Sequence, residues 1–94
     1  MKFEYDENKS RINKAKHHIN FEEAKALWQD PYAFEIPSHQ CEDEDRFLVL
    51  GQIEGKHYTA IITYRAANIR IISVRRSRAK EVPLYESVRN RSKI

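Results

Sequence analysis

Three runs rich in β-branched and aromatic residues, joined by very short connections, dominate the second half of this chain. They are Arg46–Ile53, Tyr58–Arg65 and Ile69–Arg75. The connections Glu54–His57 and Ala66–Asn68 have the length of hairpin loops, so we predict an antiparallel meander. The last run is almost continuously apolar, which predicts a central position in the sheet.

The N-terminal part predicts a short strand followed by a polar helix. The strand covers Lys2–Tyr5, and Asp6 is a suitable N-cap for a helix over Glu7–His17. Only Ile12 and Ala15 are apolar among the helical residues, so we expect this helix to lie across the surface with its lysines solvated.

A second helix is marked by a capping box. Asn20 caps it, Glu23 stands three residues later, and Asp30 with Pro31 ends it. An edge strand is possible at Tyr32–Ile36. Apolar side chains recur through the helix at helical spacing: Phe21, Ala24, Leu27 and Trp28.

The C-terminal segment also has helical spacing, with Val82, Tyr85 and Val88 expected to face the sheet. Pro83 interrupts the pattern, so we expect a turn before it and a helix starting near it, or a kinked helix. The tail Arg89–Ile94 is expected to fray.

These elements predict a single α+β domain over residues 1–94, with two N-terminal helices and a C-terminal helix packed on one face of a small antiparallel sheet. No apolar run approaches the roughly 18–20 residues that span a bilayer, and no signal peptide is visible. The single Cys41 excludes an internal disulfide, so a cytoplasmic location is expected. A zinc site at His39, Cys41 and Glu42–Asp45 lacks the second spaced pair of ligands that structural sites show.

Charge is distributed very unevenly along the chain. From Arg65 to Ile94 there are nine basic and two acidic residues, giving +7, whereas the first 64 residues sum to −4. Several arginines lie in or beside the last predicted strand, where a folded domain would hold them rigidly. A rigid arginine cluster is suited to bind phosphates, which points to a polyanionic partner.

A string of residues across the chain resembles a known family. Lys16-His17-His18-Ile19-Asn20-Phe21-Glu22-Glu23-Ala24 resembles the K-H-G-V-x-F-E-E-A signature of the BrnT toxins, the RelE-like ribonuclease half of a bacterial toxin–antitoxin pair. The resemblance covers about Phe3 to Tyr85. Its other elements are Phe3-Glu4-Tyr5-Asp6 with Asn8, Lys9 and Asn13, then Asp30-Pro31, Arg46 with Gly51, Arg70–Arg76, Glu81 and Tyr85.

Three positions depart from the family pattern. His18 stands where a glycine is usual, so the turn after the first helix is expected to differ in shape. Ser77 replaces a common alanine, which is a mild change. Pro83 lies between Glu81 and Tyr85 and is expected to affect how these two side chains project from the last helix.

The resemblance implies a RelE-like fold, an RNA substrate, no cofactor, and a BrnA-like antitoxin that forms a hetero-oligomer with this chain and binds DNA itself. Metal-independent RNA cleavage needs a base, an acid and cations around the phosphorane. His17 is the natural acid or base, Glu81 or Tyr85 the second such group, and Lys16 an additional charge. The candidates for stabilising phosphate charge are Arg65, Arg70, Arg75 and Arg76.

Each assignment has a structural alternative. The arginines could pair with carboxylates such as Glu81, and strict strand alternation places Arg70 and Arg76 on one face and Arg75 on the other. His17 could simply complement the end of its helix, and Tyr85 could be a core residue. The alternative function is a non-catalytic nucleic-acid-binding or protein-binding module with the same fold. A purely structural subunit explains the +7 segment poorly.

Overall fold

The computed structural model describes residues 2–38 and 45–92. The strands form one five-stranded sheet in the order β1-β5-β4-β3-β2. The elements in chain order are β1 (Lys2–Glu4), α1 (Glu7–His17), α2 (Phe21–Ala24), a 3₁₀ helix (Lys25–Gln29), β2 (Phe34–Ser38), β3 (Arg46–Ile53), β4 (Lys56–Arg65), β5 (Asn68–Arg76) and α3 (Glu81–Ser92).

The meander β3-β4-β5 and the edge strand β2 confirm the predicted strands. The two hairpin connections are shorter than predicted, with two residues each, because the strands extend further. Glu54 and Gly55 both have positive φ angles, 51° and 79°, which suits the tight turn between twisted strands.

The expectation of a purely antiparallel sheet is wrong, because β1 runs parallel to β5. A parallel pair needs a long connection, and the helices and three strands between β1 and β5 provide one. Phe3 anchors β1 by packing against the core and meeting Trp28 edge-on at 4.9 Å. The sheet is therefore mixed, and β5 lies between β1 and β4 while β4 is the middle strand.

A β-bulge interrupts β5 at Ile72. Ile62 pairs with Ile71, but the preceding residue Ile61 pairs with Ser73, so Ile72 has no partner in β4. A bulge of this kind adds one residue to the strand and reverses the alternation of its side chains beyond that point.

The bulge overturns the predicted distribution of the arginines. Ile71 and Val74 both lie in the core on one face, although they are three positions apart, an odd number, so that strict alternation would place them on opposite faces. Arg70 and Arg75 consequently share the opposite face, and Arg76 lies on the core side, where its guanidinium covers the Tyr58 ring at 5.5 Å. The prediction from strict alternation, which pairs Arg70 with Arg76, is therefore wrong.

Helices cover both faces of the sheet, which corrects the expectation of a one-sided arrangement. The main core lies between the sheet and the N-terminal helices, and Val49, Ala60 and Val74 face it. Their neighbours along the strands point the other way, and among them Thr59 and Arg75 bond to Glu81 of α3. The side chains of α2 and the 3₁₀ helix that enter the main core are Phe21, Ala24 and Leu27.

Helix α1 docks through polar side chains. Its lysines are exposed as predicted, and Ile12 is also 54% exposed, whereas Ser10 and Asn13 are buried. The Ser10 hydroxyl accepts a hydrogen bond from the Phe21 N–H, and Asn13 bonds to the backbone of Ile19 and of β5. The helix is thus fixed to the edge of β5 by hydrogen bonds rather than by an apolar stripe.

The second helix begins at Asn20 with the predicted capping box and tightens into the 3₁₀ helix after Ala24. Gly51 of β3 lies beneath this segment, and a Cβ on it would approach the Leu27 Cδ2 to 2.9 Å. A glycine is therefore needed at this position for the chain to pack closely.

Helix α3 begins at Glu81, and the prediction of a start near Pro83 is confirmed. Proline is tolerated there because N–H groups of the first helical turn have no partner within the helix. The helix extends to Ser92 and so includes Arg89 and Arg91, whereas residues 93 and 94 lie outside the described part. The fraying of the tail stays a prediction.

Candidate nucleic-acid-binding cleft

A cleft of about 480 Å³ opens over the sheet on the face that carries α3. The end of α1 forms one wall, and the connection between β5 and α3 forms another. Four of the eight polar residues in its described lining are arginines or lysines. The lining residues are His17, Ser38, Arg46, Leu48, Ile61, Ile72, Ser73, Arg75, Arg78, Lys80 and Glu81.

Arg75 and Glu81 form a two-pronged ion pair in the cleft. The Arg75 Nη1 donates to Glu81 Oε1 at 2.7 Å, and Nη2 donates to Oε2 at 2.9 Å. Their side chains are only 16% and 6% exposed. A buried fork-to-fork pair fixes the plane of the guanidinium, which loose surface pairs do not.

Glu81 accepts hydrogen bonds from other groups besides Arg75. Its Oε1 also accepts from the Thr59 hydroxyl at 3.0 Å and from the Arg78 N–H at 2.8 Å. These bonds, led by that from Arg75, lower the pKa of Glu81 to about 2 against the opposing effect of burial. The carboxylate therefore stays ionised at neutral pH and ties β4, β5 and the connection to α3 together.

Three further cationic residues among those described line the cleft. They are not among the site residues that the sequence predicts. Arg46 begins β3, opposite Thr63 of β4, whereas Arg78 and Lys80 belong to the connection after β5. The excess of positive charge in the C-terminal segment was the available signal for Arg78 and Lys80. Arg46 lies outside that segment, and only the strand register brings it to the same face.

His17 reaches the cleft because of how α1 ends. Its helix is held to β5 one turn earlier by Asn13, and His18 closes the helix in the left-handed conformation with φ of 62°. This left-handed conformation is the one that glycine most often adopts at the end of a helix, and the expected difference in shape from the turn of the family stays a prediction.

Five of the predicted site residues lie outside the cleft lining. Lys16 and Arg65 are exposed. The Arg70 Nη1 lies 3.8 Å from Glu4 Oε1, and the Arg76 Nε donates a hydrogen bond to the His57 carbonyl. The structure thus brings His17, Arg75 and Glu81 together in the cleft and places the other five elsewhere: Lys16, Arg65, Arg70, Arg76 and Tyr85. The catalytic roles of all eight residues stay predictions.

Tyr85 belongs to a separate network beneath α3. It is fully buried, and its hydroxyl donates to Asp30 Oδ2 at 2.7 Å. Burial, helped by this bond, raises the pKa of Tyr85 well above its usual range. Its ring meets His57 edge-on, and His57 bonds Glu86 at 2.9 Å, so this network attaches the helix to the sheet. Pro83 lies within the first turn of the same helix.

Metal ligands do not cluster in the described parts of the chain, where no three His, Cys, Asp or Glu side chains converge. The zinc alternative depended largely on residues 39–44, which lie outside the described residues. Within ranges 2–38 and 45–92, no helix is long and apolar enough to cross a membrane.

A small α+β domain with a cationic cleft across one sheet face has the chemistry of a polyanion-binding site. Residues 5–81 match the model of a family described as the ribonuclease toxin, BrnT, of a type II toxin–antitoxin system. The chain belongs to this family, which implies an RNA substrate and a protein antitoxin. No curated protein matches the chain.

Proposed function

We propose that this chain is an endoribonuclease that cleaves RNA without a metal ion and is neutralised by an antitoxin of the BrnA type. The observation that carries the proposal is the Arg75 guanidinium, fixed by Glu81 in a cleft that it shares with His17. A preorganised cation beside a proton-transfer group is what phosphodiester cleavage requires.

The reaction would begin at the ribose next to the scissile phosphate. A base removes the 2′-hydroxyl proton, the oxygen attacks phosphorus, and the bond from phosphorus to the 5′-oxygen breaks as that oxygen gains a proton. We assign one of these proton transfers to His17, since imidazole is the side chain best suited to both directions near neutral pH.

The cations would share the work on the phosphate. Arg75 would bind the oxygens that gain charge in the phosphorane, and Arg78 and Lys80 would offset charge on the leaving oxygen. Glu81 would act by holding Arg75 and the Arg78 backbone, because a carboxylate with a pKa of about 2 is a poor base at neutral pH.

The test is RNA cleavage by the purified chain in the presence of EDTA. We expect cleavage of RNA, no cleavage of the 2′-deoxy analogue, and loss of activity in a His17→Gln variant that still folds. Asn8→Gln on the exposed side of the same helix is the matched control. Intact RNA in EDTA with cleavage restored by magnesium or zinc would contradict metal independence.

Binding of the uncleavable 2′-deoxy oligonucleotide should depend strongly on salt. Four to six neutralised phosphates imply a log–log slope of roughly −3 to −4 on single strands. A slope near zero would show that the cations of the cleft do not meet phosphates.

The alternative is a non-catalytic module that binds nucleic acid or protein through the same cleft. The internal bonds of Glu81 and Tyr85 favour it, since they occupy two of the three candidate proton-transfer groups. Salt-dependent binding without cleavage in any buffer would establish this alternative.

The antitoxin and the cellular location are tested together in cells. We expect expression of the chain alone in the cytoplasm to arrest growth and degrade RNA, and co-expression with the protein encoded next to it to restore both. Co-purification of the two chains would demonstrate the hetero-oligomer. Growth arrest that the neighbouring protein does not relieve would contradict this pairing.

A further inference from the structure

The cleft has an apolar floor, formed by Leu48, Ile61 and Ile72. Leu48 and Ile61 are directly paired across β3 and β4, and Ile72 is the extra residue of the bulge next to them. All three are half-buried. In the next row toward α3, Leu50 and Thr59 are fully buried, and Thr59 donates to Glu81 at the start of that helix, so the floor is a more exposed part of this sheet face.

Cations flank the floor on opposite sides. Arg46 precedes Leu48 by two residues, and Arg75 follows Ser73, the neighbour of Ile61, by two residues, so each lies about 7 Å along its strand from the floor. Because they stand two strands apart, the diagonal between their Cα atoms is roughly 16 Å. A single-stranded nucleic acid crossing the floor would meet a cation before it and after it.

Three aliphatic side chains between the cations contribute nothing to phosphate binding, because they can form neither hydrogen bonds nor ion pairs. When a flat, weakly hydrated group covers partly exposed aliphatic surface, the free energy falls because apolar area is removed from water. A nucleobase is such a group, and in a nucleotide it is attached to the phosphate that the flanking cations attract.

We propose that Leu48, Ile61 and Ile72 form a subsite for one nucleobase, which lies with its face on the floor while the adjoining phosphates meet Arg46 and Arg75. The proposal rests on the proposed function, because it assumes that RNA occupies this cleft. It makes the floor a determinant of where the RNA is held relative to His17 and Arg75.

A protein side chain is a poorer occupant of the floor. Among the described lining residues the carboxylate is that of Glu81, which is paired with Arg75. A nucleotide brings its own phosphate to the flanking cations, whereas an apolar protein segment would desolvate them and add no anion. A volume of about 480 Å³ is also within the range of small-ligand pockets, roughly 300–1,000 Å³.

The first experiment compares two 2′-deoxy oligonucleotides of equal length and charge, one with its bases and one fully abasic. We expect the parent chain to bind the base-bearing strand about tenfold more tightly. Ile61→Thr and Ile72→Thr should bind the abasic strand as the parent does and lose most of this preference, because the added hydroxyl makes the floor polar while the β-branch is kept.

The matched control is Ile12→Thr, the same exchange at an exposed position of α1, which should keep the full preference. Equal binding of both strands by the parent would overturn the subsite and leave the proposed function standing, and it needs no variant to fold. Failure of the parent to bind either strand would overturn the proposed function and the subsite with it.

A third outcome would also overturn the subsite. If the floor variants keep the base preference but no longer bind the neighbouring antitoxin, the floor is a protein-docking surface.

Discussion

Asn13 of α1 pairs with Val74 of β5 as a neighbouring strand would. Its Nδ2 donates to the Val74 carbonyl at 2.8 Å, and its Oδ1 accepts from the Val74 N–H at 3.2 Å. Strand β1 ends opposite Arg70, so Val74 has no strand on that side. One amide side chain therefore satisfies both backbone groups of Val74 at the edge of the strand. By holding α1 there, it also places His17, four residues further along the helix, at the cleft.

Replacing this amide should cost more than a single hydrogen bond. In Asn13→Ala the buried N–H and C=O of Val74 both lose their partner, so we expect the free energy of unfolding to fall by about 2–4 kcal/mol. Denaturation in urea measures it. Asn8→Ala on the same helix, where the exposed amide oxygen accepts from Arg11, is the control and should cost much less. Similar losses for both variants would contradict the strand-like role.

Arg75 and Arg76 offer a paired test of the cleft, since they are adjacent in sequence and lie on opposite faces. Arg75→Lys should lower the cleavage rate by a factor corresponding to about 3 kcal/mol, because an ammonium cannot reproduce the fork that Glu81 fixes. Arg76→Lys should cleave near the parent rate. Single-turnover assays, with thermal unfolding to confirm the fold, make the comparison. Equal losses would remove Arg75 from the proposed site.

Glu81 predicts a pH dependence of stability. Its pKa is about 2 in the folded chain against an ordinary value of 4.5, so its stabilisation is fully present above pH 4.5 and is lost as the pH falls toward 2. Glu81→Gln should unfold more easily at pH 7 and lose less stability than the parent on acidification. Urea denaturation from pH 7 to 3 tests this, with the exposed Glu54→Gln as the control. Parallel curves for parent and Glu81→Gln would contradict it.

Tyr85 should be dispensable for chemistry and needed for stability. Tyr85→Phe keeps the ring beneath α3 but removes the hydrogen bond to Asp30, leaving a partly buried carboxylate short of a donor. We expect a loss of about 1–3 kcal/mol in the free energy of unfolding and an unchanged cleavage rate per folded molecule. A large fall in rate with an unchanged fold would restore Tyr85 as a catalytic candidate.

His18 carries backbone strain that a glycine would relieve. A side chain in the left-handed region costs roughly 1–2 kcal/mol, and part of the gain from glycine is offset by its greater freedom in the unfolded chain. His18→Gly should therefore raise the free energy of unfolding by about 0.5–1 kcal/mol. His18→Ala, which keeps a Cβ, should bring no gain. Thermal unfolding of the three proteins decides between these outcomes.

Local features of the fold followed from sequence because local chemistry decides them. The caps at Asp6 and Asn20, the helix over Glu7–His17 and the three strands of the meander all depend on residues within a few positions of one another. The charge of the C-terminal segment and the family motifs are properties of residue order alone, and they likewise pointed to a phosphate-bearing partner.

Only the tertiary structure decided which of these residues meet. The bulge at Ile72 reverses side-chain alternation within β5 and so moves Arg75 to the cleft and Arg76 away from it. The periodicity of one strand cannot reveal a bulge, because a residue is an extra one only with respect to the pairing with the neighbouring strand. The parallel pairing of β1 and the position of α3 on the opposite face were likewise hidden, because both arise from contacts between distant segments. The sequence determined the elements and the charge, and long-range pairing assembled the cleft from them.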